Sequence, residues 1–514
     1  MNVHAHESQV FLTARHLDLL SNPALVTVVN PENLLQVKNV VVVRAEDVDF
    51  SYVCLTGTKL RSLKLSAPLI LPPRIQTMSR WNMVSKASCV IVNEKTESSL
   101  VLNDSAFRMK RHVEVSSRLA AEHKLDADKL VAFKVLSPRN TTTYCDIDIL
   151  LRDNSSEVDG VIDVHLDTDE ANASILPDAQ AYELYAQSEG LDHMTTTFER
   201  ILRVGKSIQE QRRAVWHIEK NNRPGKQAYP IENETHHVNS LHFKNPNGDV
   251  DADLTVDTSN RHIHLSPDDL SALYGQNYKL RLKKAVAYTP EFIAKYTGFA
   301  AKEMVTIRNI KSGKELRHIR VLGPPRRRTQ VELAYTDCLQ LGVEAPARIS
   351  GDNLQSGADC ILIAEDDDGN LTDRSVELKS GIIRAWRHLH IYEDGIAQRL
   401  GLVSGDLLTL GIKSPGCTTI YHDVLVRVGS DPDGVKGKGF LGSIVSMLKT
   451  PLLAWGIPAL RLIRGTGDAM YVHLDTDEGN AACISNATDY TLYHQVGKKH
   501  LRLIGTTKIL RSKI

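Results

Sequence analysis

Apolar and polar positions alternate over short runs through most of the chain. Residues 315–323 (ELRHIRVLG) and 419–429 (TIYHDVLVRVG) show this pattern, and Gly, Pro, Asn and Asp separate such runs at short intervals. The alternation predicts many short strands, which favours small β-barrels. From Pro177 to about Glu219 the apolar residues instead recur at three- and four-residue spacing, which predicts helices. We therefore predict a mainly β fold with minor α, in which tandem small β-barrel domains accompany a helical linker region.

A repeated segment divides the chain into two parts. Residues 164–173 read VHLDTDEANA and residues 472–481 read VHLDTDEGNA, with nine identities in ten positions. SKASCVIV at 85–92 likewise parallels SGADCILI at 356–363. We interpret the chain as two copies of one module, at 10–204 and 255–514, joined by a linker at 205–254. The second copy also carries an inserted segment at about 429–469.

Charge and aromatic content narrow the classes of partner. The 514 residues include 62 Lys and Arg against 62 Asp and Glu, and only 5% are aromatic. This composition lacks the broad positive charge and the stacking side chains that nucleic-acid binders use. The most apolar window, 439–463, is interrupted by Lys, Pro and Arg residues, which is unfavourable in a membrane span. We expect neither a nucleic acid nor a membrane as a partner.

Cysteine usage and the first residues bear on the compartment. Seven cysteines without a Cys-x-x-Cys pair argue against a disulfide framework and fit a reducing environment. The opening MNVHAHESQVFLTARH has no basic start followed by an apolar core, so we expect no secretory signal. Both observations predict a cytoplasmic protein.

Histidines provide the strongest chemical signal. In a strand, residues i and i+2 point to the same side, so His262 with His264, and His388 with His390, each present two imidazoles on one face. One such pair is weak evidence, because histidine is often merely structural. Two pairs in one module favour a site for divalent metal ions.

The second copy resembles the phosphate propanoyltransferase family, the propanediol-utilisation type of phosphotransacylase. The resemblance rests on TSNRHIHLS, VLGPPRRRTQVELAYTDCLQLGV, APARISGD, RAWRHLHI and VHLDTDEGNAA, in the family's order. It implies two small barrels per module and a two-zinc transferase that interconverts short-chain acyl-CoA (propanoyl or acetyl) plus phosphate with acyl phosphate plus coenzyme A. It also implies a place in propanediol degradation, although no clear peptide for targeting to a bacterial microcompartment is present.

The resemblance assigns roles to particular residues. His262, His264 and Glu332 would hold the zinc ion that faces the coenzyme A sulfur, and His388, His390 and His473 would hold the other. Arg326 and Ser350 match positions that the family is expected to use for phosphate, which suits a guanidinium that can bind two oxygens at once. We expect direct attack by phosphate, without a covalent acyl-enzyme.

The first copy is degenerate in this interpretation. Its RHLD segment places Asp18 where His264 stands, and Arg80 aligns with Glu332. The remaining set of His112, Glu114 and His165 is chemically acceptable for one metal ion. We expect no turnover from this copy and predict that it pairs with the second copy as an internal pseudo-dimer, or that the chain forms a homo-oligomer.

Two other functions stay open on the sequence alone. The chain could be a non-catalytic scaffold that binds coenzyme A or metal, which a pocket blocked by the insertion would favour. It could also be a two-zinc hydrolase of thioesters, in which water replaces phosphate at the metal site. The complete histidine set argues against the scaffold, and Arg326 with Ser350 argues against simple hydrolysis.

Overall fold

The computed structural model describes most of the chain and divides it into two compact units. Unit 1 comprises Met1–His237, Leu410–His422 and Thr476–Tyr490, and unit 2 comprises Val238–Thr409, Asp423–Asp475 and Thr491–Ile514. The described residues are 1–45, 50–70, 87–152, 162–187, 198–205, 238–247, 251–259, 261–285, 298–351, 359–378, 380–391, 394–429, 469–496 and 500–508.

The first half of the chain forms short strands throughout. They are β1 (Asn2–His6), β2 (Gln9–Leu12), β3 (Leu25–Val29), β4 (Gln36–Arg44), β5 (Tyr52–Leu55), β6 (Leu69–Ile70), β7 (Cys89–Asn93), β8 (Ser98–Leu102), β9 (Ala106–Met109), β10 (His112–Ser116), β11 (Leu130–Leu136), β12 (Thr142–Arg152), β13 (Ile162–Asp167), β14 (Ala181–Gln187) and β15 (Phe198–Gly205).

The second half repeats this pattern of short strands. They are β16 (Val238–Lys244), β17 (Asp251–Ser259), β18 (His262–His264), β19 (Leu282–Ala285), β20 (Phe299–Asn309), β21 (Glu315–Gly323), β22 (Gln330–Leu333), β23 (Ala347–Arg348), β24 (Cys360–Glu365), β25 (Leu371–Leu378), β26 (Ile382–Ala385), β27 (His388–Ile391), β28 (Leu407–Lys413), β29 (Thr419–Val428), β30 (Ala469–Asp475), β31 (Asp489–Val496) and β32 (His500–Lys508).

Helices are short and lie between strands. They are α1 (Ala14–Leu19), α2 (Gly57–Ser62), α3 (Ser117–Glu122), α4 (Thr168–Ala173), α5 (Pro267–Tyr274), α6 (Tyr335–Leu341), α7 (Asp394–Leu400) and α8 (Thr476–Ala481), with 3₁₀ turns at Leu176–Asp178 and Ile484–Asn486. The predicted fold class, mainly β with minor α, is confirmed. No helix among the described residues is long and apolar enough to cross a membrane.

Each unit contains a sheet with the same strand order. In unit 1 the order is β6-β9-β5-β2-β4-β3-β7-β8, and in unit 2 it is β23-β26-β22-β18-β21-β20-β24-β25, with β19 added beside β20. Alternating strand residues bury their apolar side chains in one core per sheet. The two sheets therefore match strand for strand, so that β2 corresponds to β18 and β5 to β22.

A second group of strands also recurs. Strand β13 pairs parallel with β1 and antiparallel with β10, which in turn pairs parallel with β12. In unit 2, β30 pairs parallel with β17 and antiparallel with β27, which pairs parallel with β29. These pairings set His112 opposite His165 in unit 1 and His388 opposite His473 in unit 2.

The predicted helices between Pro177 and Glu219 are wrong where the structure describes this region. Residues 181–187 and 198–205 form β14 and β15, which pair with each other, and β14 also pairs with β11. Ala181, Tyr182, Glu183 and Leu184 are all buried, because this strand is covered on both faces. A strand buried on both faces has a continuous apolar run rather than alternation, and such a run resembles a helical pattern.

Two other predicted segments are only partly described. Residues 238–244, within the predicted linker 205–254, form β16 and pair with β17 and β32. Residues 206–237, which include the end of the predicted helical region and much of the predicted linker, lie outside the described residues, as does nearly all of the insertion at 429–469.

The cysteines include one pair that the sequence did not suggest. Cys417 and Cys483 form a disulfide within unit 1, with Cα atoms 6.3 Å apart. The cysteine pattern argued against a disulfide framework and did not predict this single disulfide, because local spacing says nothing about contacts made by folding.

Candidate functional site

The first cluster in unit 2 is held by a three-residue strand. His262 and His264 lie on β18, and His262 stands opposite Glu332 of the antiparallel strand β22. The carboxylate of Glu332 lies 3.5 Å from His262 Nε2 and 4.0 Å from His264 Nε2, and the two imidazoles cross at 88°. All three residues are buried. Their potential ligand atoms lie within 4.8 Å of one another, so the strand pairing alone assembles a set that can hold one metal ion.

Arg326 and Ser350 lie beside this cluster. Arg326 Nη1 donates a 2.9 Å hydrogen bond to Ser350 Oγ, and the Ser350 hydroxyl donates to a Glu332 carboxylate oxygen. The guanidinium stands 3.9 Å from the same carboxylate, and the backbone N–H of Arg326 donates to the Leu265 carbonyl next to β18. The residues predicted for phosphate thus join the residues predicted for metal in one network.

The second cluster lies on paired strands β27 and β30. His388 Nε2 and His390 Nε2 are 3.1 Å apart, and the His473 ring is centred 5.1 Å from that of His388 and 5.2 Å from that of His390. His388 Nδ1 donates to the Trp386 carbonyl oxygen at 2.7 Å, because a carbonyl can only accept. This bond leaves the Nε2 lone pair of His388 for a metal, in the arrangement typical of ligating histidines.

Burial sets the charge state of both clusters. It lowers the pKa of His388 to about 4 and that of His473 to about 3, with neighbouring charges adding to the effect on His473. Burial alone would raise the pKa of Glu332, but the His262 and His264 imidazoles and the Ser350 hydroxyl lower it well below its usual range. At neutral pH His388 and His473 are therefore neutral and Glu332 is ionised, which is the state that metal ligation requires.

The two clusters of unit 2 share one electrostatic environment. Glu332 of the first cluster acts on the pKa of both His388 and His473 in the second, raising each against the effect of burial. Interactions between partly buried charges are screened much less than those at the surface. Unit 2 therefore brings two potential metal-ligand sets close enough for the charge of one to affect the other.

Unit 1 contains a third cluster at the corresponding position. His112 and His165 face each other on β10 and β13, and Glu114 lies 3.4 Å from His112 Nε2 and 3.5 Å from His165 Nε2. The structure thus brings together the three residues that the sequence named for one remaining metal ion. These side chains line a cleft together with Gln9, Phe11 and Cys54, among others.

The predicted alignment of Asp18 with His264 is wrong. Asp18 lies on helix α1, which begins at Ala14, and so has no place on a strand like that of His264. The strand that corresponds to β18 is β2, in which Gln9 stands opposite Cys54 as His262 stands opposite Glu332. Arg80 lies outside the described residues. The alignment of the two copies relied on the recurring Arg-His pair. This pair lies on helix α1 in RHLD but beside strands elsewhere, so it does not mark equivalent positions.

Strand β1 supplies two histidines that the sequence reasoning missed. His6 Nε2 lies 2.6 Å from His165 Nδ1, and His4 Nε2 lies 3.2 Å from an Asp163 carboxylate oxygen. Burial and neighbouring imidazoles lower the pKa of His6 to about 4 and that of His165 to about 3. The available signal was the His-x-His spacing in the opening MNVHAHE, which matches the spacing that identified the other pairs.

Comparisons with known proteins point to one enzyme family. A family model described as phosphate propanoyltransferase matches residues 255–433, which include every predicted site residue of unit 2 except His473. The phosphate propanoyltransferase of Planctopirus limnophila is 35% identical over 244 residues, 48% of this chain and 78% of the relative. The phosphate propanoyltransferase of Thermotoga maritima is 36% identical over 178 residues, which are 35% of this chain and 76% of the relative. That of Rhodopseudomonas palustris is 32% identical over 242 residues, which are 46% of this chain and 83% of the relative.

Proposed function

Because the chain belongs to the phosphate propanoyltransferase family, we propose that unit 2 transfers a short acyl group, propanoyl or acetyl, between coenzyme A and inorganic phosphate at a two-zinc site. The observation that carries this proposal is the network in which Arg326 and Ser350 are hydrogen-bonded to each other and to Glu332. A simple metal-storage site has no need for an anion-binding pair attached to a ligand.

The donor sets fit zinc. Three imidazoles in one cluster, and two imidazoles with a carboxylate in the other, are the nitrogen and oxygen ligands that zinc accepts in catalytic sites, with one position left open. Bound zinc would supply Lewis acidity that stabilises the leaving thiolate and the carbonyl oxygen. His262, His264 and Glu332 would hold the ion that faces sulfur, and His388, His390 and His473 the ion that faces phosphate.

Arg326 and Ser350 would position the phosphate. The planar guanidinium can donate two parallel hydrogen bonds to phosphate oxygens, and its bond to Ser350 limits its rotation. In the reaction a phosphate oxygen forms a bond to the acyl carbon, the bond from that carbon to sulfur breaks, and coenzyme A leaves as a thiolate. Holding the attacking oxygen near the thioester accelerates this step because it avoids the entropic cost of a bimolecular encounter.

A cysteine nucleophile is not required by this mechanism. Cys338 lies in the core of the first sheet of unit 2, and burial raises the pKa of Cys360 to about 11. A thiol at that pKa is almost entirely protonated at neutral pH and is a poor nucleophile. Both cysteines therefore act as small hydrophobic side chains.

Thiol release tests the proposal against its two alternatives. Free coenzyme A released from propanoyl-CoA and acetyl-CoA would be measured with and without phosphate, before and after metal chelation. We expect release that requires both phosphate and metal, with acyl phosphate formed in equal amount. Release without phosphate would identify a two-zinc thioester hydrolase instead, and no release from the zinc-loaded chain would identify a scaffold that binds coenzyme A or metal.

We also infer that the first half of the chain is a folding partner rather than a second catalytic centre. Unit 1 includes segments 410–422 and 476–490 from the second half. Within it, Arg111 Nη2 donates to the Thr418 carbonyl at 2.7 Å, and Asn480 Nδ2 donates to Thr58 Oγ1 at 2.6 Å. Light scattering should give the mass of one chain if this internal pairing replaces a homodimer, and an obligate dimer would contradict it.

A further inference from the structure

We propose that unit 1 holds one divalent metal ion of its own, with zinc the best-fitting metal, through His112, Glu114 and His165, and that His6 is a positioning residue that orients His165. This site is separate from the two clusters of unit 2 and does not depend on the acyl-transfer proposal. It uses side chains of β10 and β13 together with one from β1, and it lines the cleft in unit 1.

The geometry of the three ligands supports the site. Glu114 lies between the two histidines, 3.4 Å from His112 Nε2 and 3.5 Å from His165 Nε2, so one ion can reach all three atoms after small side-chain shifts. The His112 and His165 rings are stacked with centroids 4.6 Å apart. Among the described residues, His165 Nε2 is a buried atom without a hydrogen-bond partner. An ion at this point would satisfy it.

His112 is prepared for ligation as His388 is in unit 2. Its Nδ1 donates to the Lys110 carbonyl oxygen at 3.1 Å, just as His388 Nδ1 donates to the Trp386 carbonyl. In both cases the bond fixes the tautomer and leaves Nε2 free to bind a metal. Unit 1 has therefore kept the outer hydrogen bond as well as the ligand itself.

His6 provides the corresponding outer contact for His165. The 2.6 Å distance joins His6 Nε2 to His165 Nδ1, which is the nitrogen that faces away from Glu114. When His165 Nε2 binds the ion, its Nδ1–H donates to His6 Nε2, and His6 carries its own proton on Nδ1. Strand β17 of unit 2 corresponds to β1 of unit 1. His6 stands opposite Asp167, and at the matching position of unit 2 Ser259 stands opposite Asp475, so unit 2 has a serine where unit 1 has this histidine.

One cation already contacts the cluster. Arg152 Nη2 bonds to Glu114 Oε2, and Arg152 Nη1 lies 3.4 Å from an Asp163 oxygen. The Arg152 side chain is 41% exposed, so it can move toward solvent. Glu114 Oε1, the oxygen nearer His112, is free to bind the ion while Oε2 keeps Arg152. The positive charge of Arg152 lowers the affinity but does not block the site.

The rest of the cleft limits unit 1 to a single ion. Gln9, Phe11 and Cys54 line it at the strand positions that correspond to His262, His264 and Glu332. A phenyl ring offers no ligand atom, and a neutral amide is not among the usual zinc ligands. Cys54 alone could offer a donor atom, and one thiolate does not make a ligand set. The second ion of a two-metal centre therefore has no ligand set here.

Counting bound Co²⁺ tests this site, because cobalt accepts the same ligands as zinc and its absorption spectrum reports coordination. The full chain, stripped of metal and titrated with Co²⁺, is compared with the His112→Ala variant. We expect one ion fewer per chain in the variant, whatever number unit 2 holds. If unit 2 does not bind two ions, the total number of Co²⁺ ions per chain changes, but the difference of one ion between the parent chain and His112→Ala does not.

Two further variants guard against misfolding. Glu114→Gln keeps the shape of the side chain and should weaken Co²⁺ binding at this site, and His6→Ala should keep the ion but weaken its binding about 10- to 100-fold, as outer-contact losses do. His123→Ala, at the end of α3 and outside the cluster, is the control and should match the parent chain. Equal ion counts for the parent chain, His112→Ala and Glu114→Gln would overturn the site, and unchanged affinity in His6→Ala would overturn the role of His6.

Discussion

Units 1 and 2 share a strand order but present different side chains at corresponding strand positions. In the first sheet, Gln9 and Cys54 of unit 1 stand where His262 and Glu332 stand in unit 2. In the second group of strands, His112 and His165 correspond to His388 and His473. The contrast shows that the sheets do not need the ligands to form. The sheet is specified by apolar residues on the buried face, and the chemistry by a few side chains at strand ends.

The acidic residues of the repeated HLDTDE segment show the reverse case, since they serve folding while its histidine belongs to a ligand cluster. In unit 1, Asp167 caps helix α4 and exchanges hydrogen bonds with Glu170, forming a capping box. Arg108 donates to Asp167, and Arg111 donates to Glu170. These buried acidic side chains are fixed by partners within unit 1. Such contacts explain why unit 1 can have this segment although it lacks the first ligand cluster of unit 2.

The largest expected effect contrasts two corresponding arginines. Arg108 on β9 and Arg384 on β26 occupy matching positions, opposite Leu55 and Leu333. Arg108 is buried and bonds to Asp167 and the Asn480 carbonyl, whereas Arg384 Nε donates to a carbonyl, that of Ala345. Arg108→Ala should lower the free energy of unfolding of unit 1 by about 3–5 kcal/mol, because it leaves a buried carboxylate unpaired.

Arg384→Ala is the matched control. We expect a smaller loss, about 1–2 kcal/mol, because its hydrogen bond goes to a neutral carbonyl and its guanidinium lies 5.3 Å from the centre of the Tyr335 ring. Urea unfolding followed by circular dichroism would measure both variants. Equal losses would mean that the two arginines serve the same role and that the comparison of buried networks is wrong.

The next effect concerns the second ligand cluster of unit 2. His473→Ala should reduce acyl transfer more than about 100-fold, since it removes a ligand rather than an outer contact, whose loss costs about 10- to 100-fold. The assay is acyl phosphate formation by the zinc-loaded chain. His494→Ala is the control, because this partly exposed side chain faces Asp406 at 3.6 Å and takes no part in either cluster. Full activity in His473→Ala would exclude the second cluster from the reaction.

Arg326 provides a smaller, more specific test. Arg326→Lys keeps the charge but loses the planar pair of donors, so we expect kcat/KM for phosphate to fall about 10- to 100-fold, the equivalent of one or two hydrogen bonds to a charged group. The KM for acyl-CoA should change little. An equal rise in both KM values would indicate that Arg326 supports the fold of the site rather than phosphate binding.

The sequence was sufficient for the fold class and for the histidine pairs that unit 2 brings together, and insufficient for the first cluster position of unit 1 and for His6. Residues i and i+2 lie on the same face of any strand, so the sequence alone predicted that His262 lies beside His264 and His388 beside His390. The alignment failed at Asp18 because a short local motif does not distinguish a strand from a helix. Strand β14 was mistaken for a helix for a similar reason, since burial on both faces removes the alternation. Contacts such as His6 with His165 depend on a pairing 159 residues apart, which local patterns cannot reveal.

The last prediction concerns a pH dependence in the metal-free chain. His388 and His473 have folded-state pKa values of about 4 and about 3, below the ordinary 6.5. As pH falls from 6.5 toward 4, both imidazoles become protonated in the unfolded chain but stay neutral in the folded chain. The free energy of unfolding therefore falls by at most about 1.4 kcal/mol per pH unit for each histidine. Above pH 6.5 both states are neutral and the dependence vanishes. Urea unfolding of the chelated chain at pH 7, 6 and 5 would measure the slope. The double variant His388→Gln with His473→Gln should reduce the slope, and the remainder should come from other buried histidines such as His6 and His165. An unchanged slope would show that other groups govern the acid sensitivity of the chain.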